Sequence, residues 1–392
     1  MVLAGEFPPD ERVEKEIESL QKAGFTVAIA AYTMQDRPAV EIYHDYTIYR
    51  KNISRLLYKS SAAALILPFY FTFWYRFLDS ILKKDQFHFI HVHDLPLSKT
   101  GYQLARKHNL KLICDQHEYY SNWIVRTRHY SAGIGKIIRT FSNWSKYEQK
   151  YLQKADLVIT VADSLKEIYI SQVKISPEKV ITLPNTPRMS DFDLANVDED
   201  IVGKYNNKFV LFYGGSLDEL RGIDFILQGV SRLKHEIHNL LFLVAGKENR
   251  TFNLQSLVMK YQVEKEVEYV GWVPLSMLSS YVAASSVCLF VPRANNMEIN
   301  NTIATKIYQY AAMGKPVIVS EARLMKEFVE ENKLGFSVHF GNVEEFCQSI
   351  LKLRSSPEIT KDIISRAVTI AQKYSWERTS IEFLSYYDHL KG

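Results

Sequence analysis

Residues 111–120, KLICDQHEYY, carry several polar side chains directly after an apolar run. The run predicts a buried strand, and Asp115, His117 and Glu118 come at its end. Carboxylates and an imidazole can transfer protons and can bind ligand hydroxyl groups. Because ligands of open parallel sheets bind beyond the carboxyl ends of the strands, this stretch predicts one wall of a ligand site. The simpler alternative is a loop whose polar groups only satisfy neighbouring backbone.

A second stretch, FYGGSLDELRG at residues 212–222, predicts a strand that ends in two glycines and leads through a turn into a helix. Glycine lets a backbone approach a ligand closely, and a helix N-terminus attracts anions. Arg221 adds a fixed positive charge that suits phosphate oxygens. The alternative is an ordinary tight loop.

A third stretch, residues 294–314, is an Asn-rich loop followed by a helix that stops at Gly314. Thr302 is the predicted N-cap, and the amides of 302–305 would suit a diphosphate. Lys306 would add charge, and Glu298 is the one acid in the loop. An ordinary capped helix beside a solvated loop would show the same pattern.

Apolar runs alternate with helix-period segments along the whole chain, which predicts α/β architecture with parallel sheets. The alternation is interrupted near residue 184 by a polar stretch with two prolines and no period, which we interpret as a linker. The fold class is therefore predicted to be two facing Rossmann-like, doubly wound domains.

The net charge and the cysteine spacing argue against several classes of function. The 392 residues carry a net charge of only +4 and no basic arm, so nucleic acid is not an expected partner. The three cysteines match neither a metal spacing nor a disulfide framework, and the N-terminal residues do not resemble a signal peptide. These features favour a cytoplasmic protein.

Residues 60–75, SSAAALILPFYFTFWY, form an uncharged aromatic segment flanked by basic residues. The segment is shorter than the ~20 residues of a spanning helix, and Pro68 interrupts it. It is either a core helix or an aromatic face that lies in a membrane interface. On the second interpretation, residues 55–84 would hold the protein peripherally on the inner face of the cell membrane.

The segment AAMGKPVIVS resembles the donor-binding motif of the family-four retaining glycosyltransferases, which have the GT-B fold. Further resemblances follow in the family's order: FPPDERVEKEIESLQKAGFTV, KADLVITVADSLKE, LPNTP, EFVEENKLGFSV and SWERTSIEFLSYY. They cover nearly the whole chain. The resemblance implies an acceptor-binding domain at 1–188, a donor-binding domain at 189–374, and a C-terminal helix at about 375–392 that packs back on the first domain.

The resemblance also implies roles for individual residues. His117 matches the histidine close to the donor sugar, and the catalytic pair would be His117 and Glu298. Arg12, Asp115 and Glu118 are placed on the acceptor side, where Asp115 and Glu118 would either orient the imidazole or bind the acceptor. The donor-binding set would be Gly215, Ser216, Arg221, Val273, Asn301, Thr302, Ile303, Lys306 and Gln309. Val273 belongs to the segment whose backbone would read the nucleotide base.

Three positions depart from the family pattern. Ser216 stands where relatives often have arginine, and Arg12, Arg293 or Lys306 could supply the missing cation. The two motif glutamates fall on Asn301 and Gln309. Either Glu298 reaches the sugar hydroxyls from a rearranged loop, or Asn301 binds them as an amide.

The resemblance implies a hexosyltransferase that moves a sugar from a UDP- or GDP-linked donor to a saccharide or lipid-linked acceptor, with retention. Surface polysaccharide or glycoconjugate assembly is the expected setting. No cofactor and no metal are expected, because no Asp-x-Asp motif lies in a suitable place. Two alternatives remain open: a nucleotide-sugar epimerase, and a catalytically silent subunit that supports an active transferase.

Overall fold

The computed structural model describes residues 1–124, 141–192, 196–295 and 297–391. The chain divides into two compact units. Unit 1 is Met1–Pro184 with Thr379–Gly392, and unit 2 is Asn185–Arg378. Each unit has its own largely parallel sheet, so the predicted α/β class with two Rossmann-like domains is confirmed. The acceptor-binding and donor-binding roles of the two domains stay predictions.

The described residues of unit 1 form an eight-stranded sheet with the order β3-β4-β2-β1-β5-β6-β7-β8, parallel except for the pair β3 and β4. The strands are β1 (Val2–Leu3), β2 (Ala28–Thr33), β3 (Val40–Tyr43), β4 (Tyr46–Asn52), β5 (Phe89–His93), β6 (Lys111–Gln116), β7 (Leu157–Thr160) and β8 (Val180–Thr182). β5 and β6 pair in parallel with His93 opposite Asp115. Their carboxyl ends therefore lie side by side, and polar residues that follow both strands can meet.

The described helices of unit 1 are α1 (Glu11–Lys22), α2 (Arg55–Ser60), α3 (Phe69–Leu82), α4 (Ser98–His108), α5 (Tyr120–Ile124), α6 (Phe141–Leu152) and α7 (Asp163–Ser171). Helix α1 begins at a reciprocal cap, in which Asp10 accepts from the Val13 amide and its own amide donates to Glu14. The cap fixes where α1 starts. Arg12 and Glu16, four positions apart, consequently lie on the same face of the helix.

The aromatic segment of unit 1 combines features of both interpretations of the sequence. Pro68 lies at the N-cap of α3, where its missing N–H costs no helical hydrogen bond. Trp74 of α3 is fully buried, whereas Ile66 and Phe69 are about 60% exposed. Part of the segment is thus a core helix, and its N-terminal edge faces solvent. No described helix is both long and apolar enough to cross a bilayer.

In unit 2 the described residues form a six-stranded, all-parallel sheet with the order β11-β10-β9-β12-β13-β14. The strands are β9 (Phe209–Gly214), β10 (Leu240–Ala245), β11 (Val267–Gly271), β12 (Val287–Phe290), β13 (Val317–Ser320) and β14 (Gly335–Val338). Residues 210–213 of β9 are completely buried. Continuous burial is typical of a strand that helices cover on both faces, as the apolar run predicted.

The described helices of unit 2 are α8 (Glu199–Lys204), α9 (Ile223–Leu233), α10 (Leu254–Tyr261), α11 (Leu275–Ala283), α12 (Met297–Asn300), α13 (Thr305–Ala312), α14 (Arg323–Glu331), α15 (Val343–Ser355) and α16 (Pro357–Lys373). The last helix, α17 (Trp376–Lys391), continues into the C-terminal part of unit 1. Helix α8 corrects the interpretation of residues 183–208 as a linker without periodic structure. Asp198 caps this helix by accepting from two backbone amides.

Candidate functional site

The polar residues of KLICDQHEYY belong to a buried ion-pair network in unit 1. The guanidinium of Arg12 donates to both carboxylate oxygens of Asp115 at 3.0–3.1 Å and to the Leu183 carbonyl at 2.9 Å. Its Nε also lies 3.1 Å from Glu16. Arg12 is 5% exposed, and Asp115 and Glu16 are completely buried. Buried charges of this kind are stable only when they are paired.

The two carboxylates of this network differ in protonation. Burial disfavours the charged form of Asp115, but Arg12 and the neighbouring histidines outweigh it and hold the pKa of Asp115 well below its usual range. Burial, followed by the negative charge of Asp115, raises the pKa of Glu16 well above its usual range. Asp115 is therefore the ionised partner of Arg12, whereas burial and the charge of Asp115 favour the protonated form of Glu16.

His117 lies at the solvent-facing end of the network and is 24% exposed. Its Nε2 is 3.3 Å from Asp115 Oδ2 and 3.3 Å from His93 Nδ1, and its Nδ1 is 3.7 Å from Asp94 Oδ1. Burial alone would lower the pKa of His117, but Asp94 and Asp115 outweigh it, so the pKa lies above its usual value. The arrangement favours the charged imidazolium, with one carboxylate near each ring nitrogen.

His93 and Asp94, which lie at the end of β5 in the sequence FIHVHD, were not predicted as site residues. A signal was available, because a second strand that ends in polar residues lies next to β6. Asp94 adopts a positive φ of 64°, which costs energy for a residue other than glycine and is often found at functional sites. Its amide donates to the Asp115 carbonyl at 2.8 Å.

Arg12 and Asp115 are buried and paired with each other, and Asp115 lies 3.3 Å from the His117 imidazole, as expected if it orients that ring. Acceptor contacts of Arg12 and Asp115, and a role of Arg12 as the cation missing at Ser216, stay predictions. Both residues stabilise the site around His117. Glu118 is partly buried and its carbonyl accepts from Tyr169 Oη, so an acceptor contact of its carboxylate stays a prediction.

Among the described residues, Glu16, His91, His93 and Asp115 each place one ligand atom within 4.8 Å of the others, which is close enough to hold a metal ion. Tyr387 Oη lies 2.6 Å from His91 Nδ1, and burial lowers the pKa of His91 well below its usual value. A cation bound there would have to displace the Arg12 guanidinium from Asp115. The Arg12 guanidinium already neutralises the Asp115 carboxylate of this cluster.

In unit 2 the carboxyl ends of β9, β10 and β11 are joined through glycines. The Gly215 amide donates to the Ala245 carbonyl at 2.9 Å, and the Gly246 amide donates to the Gly271 carbonyl at 2.7 Å. A Cβ on Gly246 would overlap the Gly215 carbonyl, and its φ of 148° also requires glycine. The sequence analysis missed Gly246, although the glycine after the LLFLVA strand was a usable signal.

Lys306 extends from the first turn of α13 to this glycine edge. Its Nζ lies 4.6 Å from the ring centroid of Tyr213 and 4.5 Å from that of Phe290, two cation–π contacts. A Cβ on Gly215 would overlap this ammonium. Burial, followed by the nearby charge of Arg221, lowers the pKa of Lys306 to about 7. Tyr213 and Phe290 were not anticipated, because both read as core strand residues.

The other basic residue of the predicted set, Arg221, is 36% exposed and its Nε donates to Asp218 at 3.2 Å. Ser216 is exposed, and its carbonyl accepts from Tyr213 Oη at 2.7 Å. Val273 follows β11 and packs against the core. The structure therefore places Gly215, Ser216, Lys306 and Arg221 around the end of β9.

The predicted cap of the loop helix is wrong. Helix α13 begins at Thr305 with Ala304 as its N-cap, so Thr302 and Ile303 precede the helix. The Asn301 side chain donates to the Met297 carbonyl and accepts from Arg323, contacts that hold the loop. Gln309 is buried, and the side chain of Glu298 lies outside the described residues. Sugar contacts of Glu298, Asn301 and Gln309 stay predictions.

Two family models match consecutive parts of the chain. A model described as Glycosyltransferase Family 4 matches residues 12–186, and one described as Glycosyl transferases group 1 matches residues 196–369. Together they cover most of unit 1 and most of unit 2. Both models describe glycosyltransferases.

Individual relatives are distant. The chain is 21% identical over 270 residues to the phosphatidylinositol N-acetylglucosaminyltransferase GPI3 subunit of Saccharomyces cerevisiae, an alignment that covers 66% of this chain and 53% of that protein. The chain thus spans about half the length of this curated relative.

Among solved structures, the chain resembles the sucrose-phosphate synthase from Thermosynechococcus elongatus, with a TM-score of 0.76 and 17% identity, over 97% of this chain and 92% of that one. It also resembles Anabaena HepE in complex with UDP-glucose, with a TM-score of 0.70 and 13% identity, over 99% and 98% of the two chains. At these identities the likeness shows the fold.

Proposed function

Models of two glycosyltransferase families match the two halves of the chain, and from that premise we propose that it transfers a sugar from a nucleotide diphosphate donor to an acceptor hydroxyl. The proposal includes retention at the anomeric carbon and release of a nucleoside diphosphate. The bond between the anomeric carbon and the diphosphate oxygen breaks, the bond to the acceptor oxygen forms, and the acceptor proton is lost.

The observation that carries the proposal is the pairing of Lys306 with Gly215 at the carboxyl edge of the unit 2 sheet. A lysine held between Tyr213 and Phe290 has little solvent to stabilise its charge, which is why its pKa lies near 7. A diphosphate would supply that stabilisation. Because Gly215 has no side chain, the phosphate oxygens could approach the ammonium closely.

The reaction needs positive charge where the leaving diphosphate develops negative charge, and such preorganised stabilisation is usually the largest catalytic term. In this proposal Lys306 and Arg221 supply it, together with the amides of the first turn of α13. The lysine and arginine charges make a metal ion unnecessary, so the transfer is proposed to be metal-independent.

Unit 1 is proposed to contribute His117 as a charged donor to the sugar. Asp94 and Asp115 favour the imidazolium. Its Nε2 faces Asp115 at 3.3 Å, whereas its Nδ1 lies 3.7 Å from Asp94, beyond hydrogen-bond distance, and is the N–H proposed to donate to a sugar hydroxyl. Glu118, which follows His117, is proposed to take part in binding the acceptor.

The substrate classes are proposed from the relatives. The HepE structure contains UDP-glucose, which supports a UDP-linked hexose donor. The GPI3 relative is named for a phosphatidylinositol acceptor, which supports an acceptor carried on a lipid. We therefore propose a role in the assembly of a surface polysaccharide or another glycoconjugate.

Calorimetry with a panel of nucleoside diphosphates and their sugars should show binding by the full chain, with one base preferred. The panel is run with and without a chelator, and equal affinities are expected because lysine and arginine carry the phosphate charge. Binding of no nucleotide would favour the silent-subunit alternative and contradict the proposal. Binding that disappears with the chelator would contradict metal independence alone.

The affinity for a nucleotide-sugar should fall as the pH rises through about 7. Lys306 is charged below that pKa and neutral above it, and an anion binds the charged form. If binding needs this one proton, the dissociation constant measured by calorimetry should be about tenfold higher near pH 8 than near pH 6. A nucleotide-sugar is the right ligand, because its esterified phosphates do not titrate in this range.

Lys306→Met should remove this pH dependence and weaken binding at acidic pH, where the wild-type lysine is charged. Lys208→Met is the matched control, since Lys208 is exposed and lies at the amino end of β9. A wild-type pH profile in Lys306→Met would show that another group binds the diphosphate.

A further inference from the structure

The N-terminal edge of the aromatic segment concentrates the exposed apolar side chains of unit 1. Nine large apolar side chains of the described part of unit 1 are exposed, and five of them lie between residues 56 and 69. These five, called here the apolar edge, are Leu56 (82% exposed), Tyr58, Ile66, Leu67 and Phe69. A contiguous group of this kind on a protein surface usually marks an interaction site.

The packing of helix α3 in the core of unit 1 does not depend on the apolar edge. Helix α3 is anchored by its other face, where Trp74, Phe77 and Leu78 are buried. Trp74 packs against Tyr32 of β2 with ring centroids 6.4 Å apart. The residues that precede α3 can therefore project into solvent without loss of core packing.

A groove of about 510 Å³ lies between residues 64–76 and helix α4, and Ile66 of the apolar edge is part of its lining. This volume is in the range of sites that hold small ligands, roughly 300–1,000 Å³. Ile66, Pro68 and Phe71 line it with apolar surface, and Arg76 and Lys99 add two cations. Lys99 Nζ lies 5.3 Å from the Phe71 ring centroid, so charge and apolar surface are adjacent. A ligand that fills this groove should combine an apolar chain with an anionic group.

The charge around the groove has one sign. Between residues 46 and 84 the only acid is Asp79, which is mostly buried and pairs with Lys83, Lys107 and His108. The exposed cations of the same stretch include Lys51, Arg55, Lys59 and Arg76. Basic residues beside an apolar surface are the pattern that binds anionic lipid headgroups.

The groove also lies on the same edge of the unit 1 sheet as His117. Lys99 is in the first turn of α4, just beyond the carboxyl end of β5, and His117 follows the adjacent β6. The Lys99 amide donates to Tyr147 Oη, and the Tyr147 ring stacks on Phe71 with centroids 6.0 Å apart. A lipid held here would lie on the side of unit 1 that carries His117.

We propose that the groove and the apolar edge form a binding site for an anionic phospholipid of a bilayer surface. Ile66 and Phe69 enter the acyl region, and Arg76 and Lys99 meet the headgroup phosphate. The inference does not rest on the proposed sugar transfer, because it uses only the surface of unit 1.

The test is flotation of the full chain with vesicles of phosphatidylcholine alone and with added phosphatidylglycerol. We expect co-flotation with the anionic vesicles only. Because a basic residue near an anionic surface contributes about 1 kcal/mol, Arg76→Gln with Lys99→Gln should lower the partition coefficient about 30-fold. Ile66→Ser with Phe69→Ser should lower it at least about tenfold, since both lose apolar insertion.

Matched control variants distinguish binding at this site from nonspecific adsorption to the vesicles. Val40→Ser with Ile42→Ser removes two exposed apolar side chains from β3, and Lys208→Gln with Lys361→Gln removes two exposed cations from unit 2. Both pairs should float like the wild type. Excess inorganic phosphate should release no more protein from vesicles than sodium chloride of the same ionic strength, because both salts only screen the headgroup contacts and leave the apolar insertion unchanged.

Three results would overturn the proposal: equal flotation with both vesicles, wild-type flotation of the groove variants, or greater release by phosphate than by sodium chloride of the same ionic strength. The last result would identify a site for free phosphate instead. The flotation test contains no nucleotide-sugar. A negative flotation result therefore does not affect the calorimetric test of the proposed sugar transfer. Unchanged unfolding curves of the groove variants would show that lost flotation is not lost folding.

Discussion

Replacing His117 with alanine is expected to slow sugar transfer by about 10²–10³-fold, the usual effect of removing one preorganised donor from a catalytic site. The imidazolium at this position is maintained by Asp94 and Asp115, which favour its charged form. Alanine removes the charge and both N–H groups. The rate of product formation at saturating donor and acceptor measures the loss, and donor affinity measured by calorimetry should change much less.

Two further variants sharpen this experiment. His238→Ala removes an exposed histidine of unit 2 and should transfer sugar at the wild-type rate. Asp94→Asn removes one of the two carboxylates that raise the pKa of His117. Its pH–rate profile should therefore lose activity at a lower pH than the wild type does. Wild-type turnover in His117→Ala would refute the role assigned to the histidine.

Replacing Arg12 with methionine is expected to lower the free energy of unfolding by about 3–5 kcal/mol, because it leaves a buried carboxylate without its partner. Asp115 is completely buried, and the guanidinium contacts both of its oxygens. Urea unfolding followed by circular dichroism gives the change. Arg106→Met on the exposed face of α4 should stay within about 0.5 kcal/mol of the wild type.

The double variant Arg12→Met with Asp115→Asn identifies the cause of this loss. Removing both charges of a buried pair is often nearly neutral, so the double variant should recover much of the stability that Arg12→Met loses. It should not recover transfer, since an uncharged amide in place of the Asp115 carboxylate no longer favours the His117 imidazolium. If the two substitutions simply added, packing of the Arg12 stem would be the explanation instead of charge.

Most of the fold could be predicted because buried parallel strands read as continuous apolar runs, such as FVLFYGG and LLFLVAG. The hairpin of β3 and β4 was missed. Its residues alternate apolar and polar, and His44 and Asp45 between the strands have positive φ values of 44° and 66°. A turn of that type usually contains Asn-Gly or a similar pair, so the His-Asp pair is a weak signal.

The sequence could predict which candidate site residues follow the ends of strands. It could not predict which side chains those residues contact. His117 and Gly215 follow strands, which is why they were found. That Arg12 pairs with Asp115 could not be read from the sequence, because 103 positions separate them. The start of α13 was placed at Thr302, since threonine is a favoured cap, but the chain begins the helix at Thr305 behind an alanine that cannot cap.

Asp115 has two roles, and this limits the substitutions that its position can accept during evolution. The carboxylate that neutralises Arg12 inside unit 1 also orients the imidazole at its surface, so few substitutions there could satisfy both demands. In a library of random variants, positions 12 and 115 should be depleted by loss of folded protein, whereas position 117 should be depleted only when turnover is selected. New acceptor preferences would then arise from the exposed loops around His117, while the strand beneath it stays unchanged.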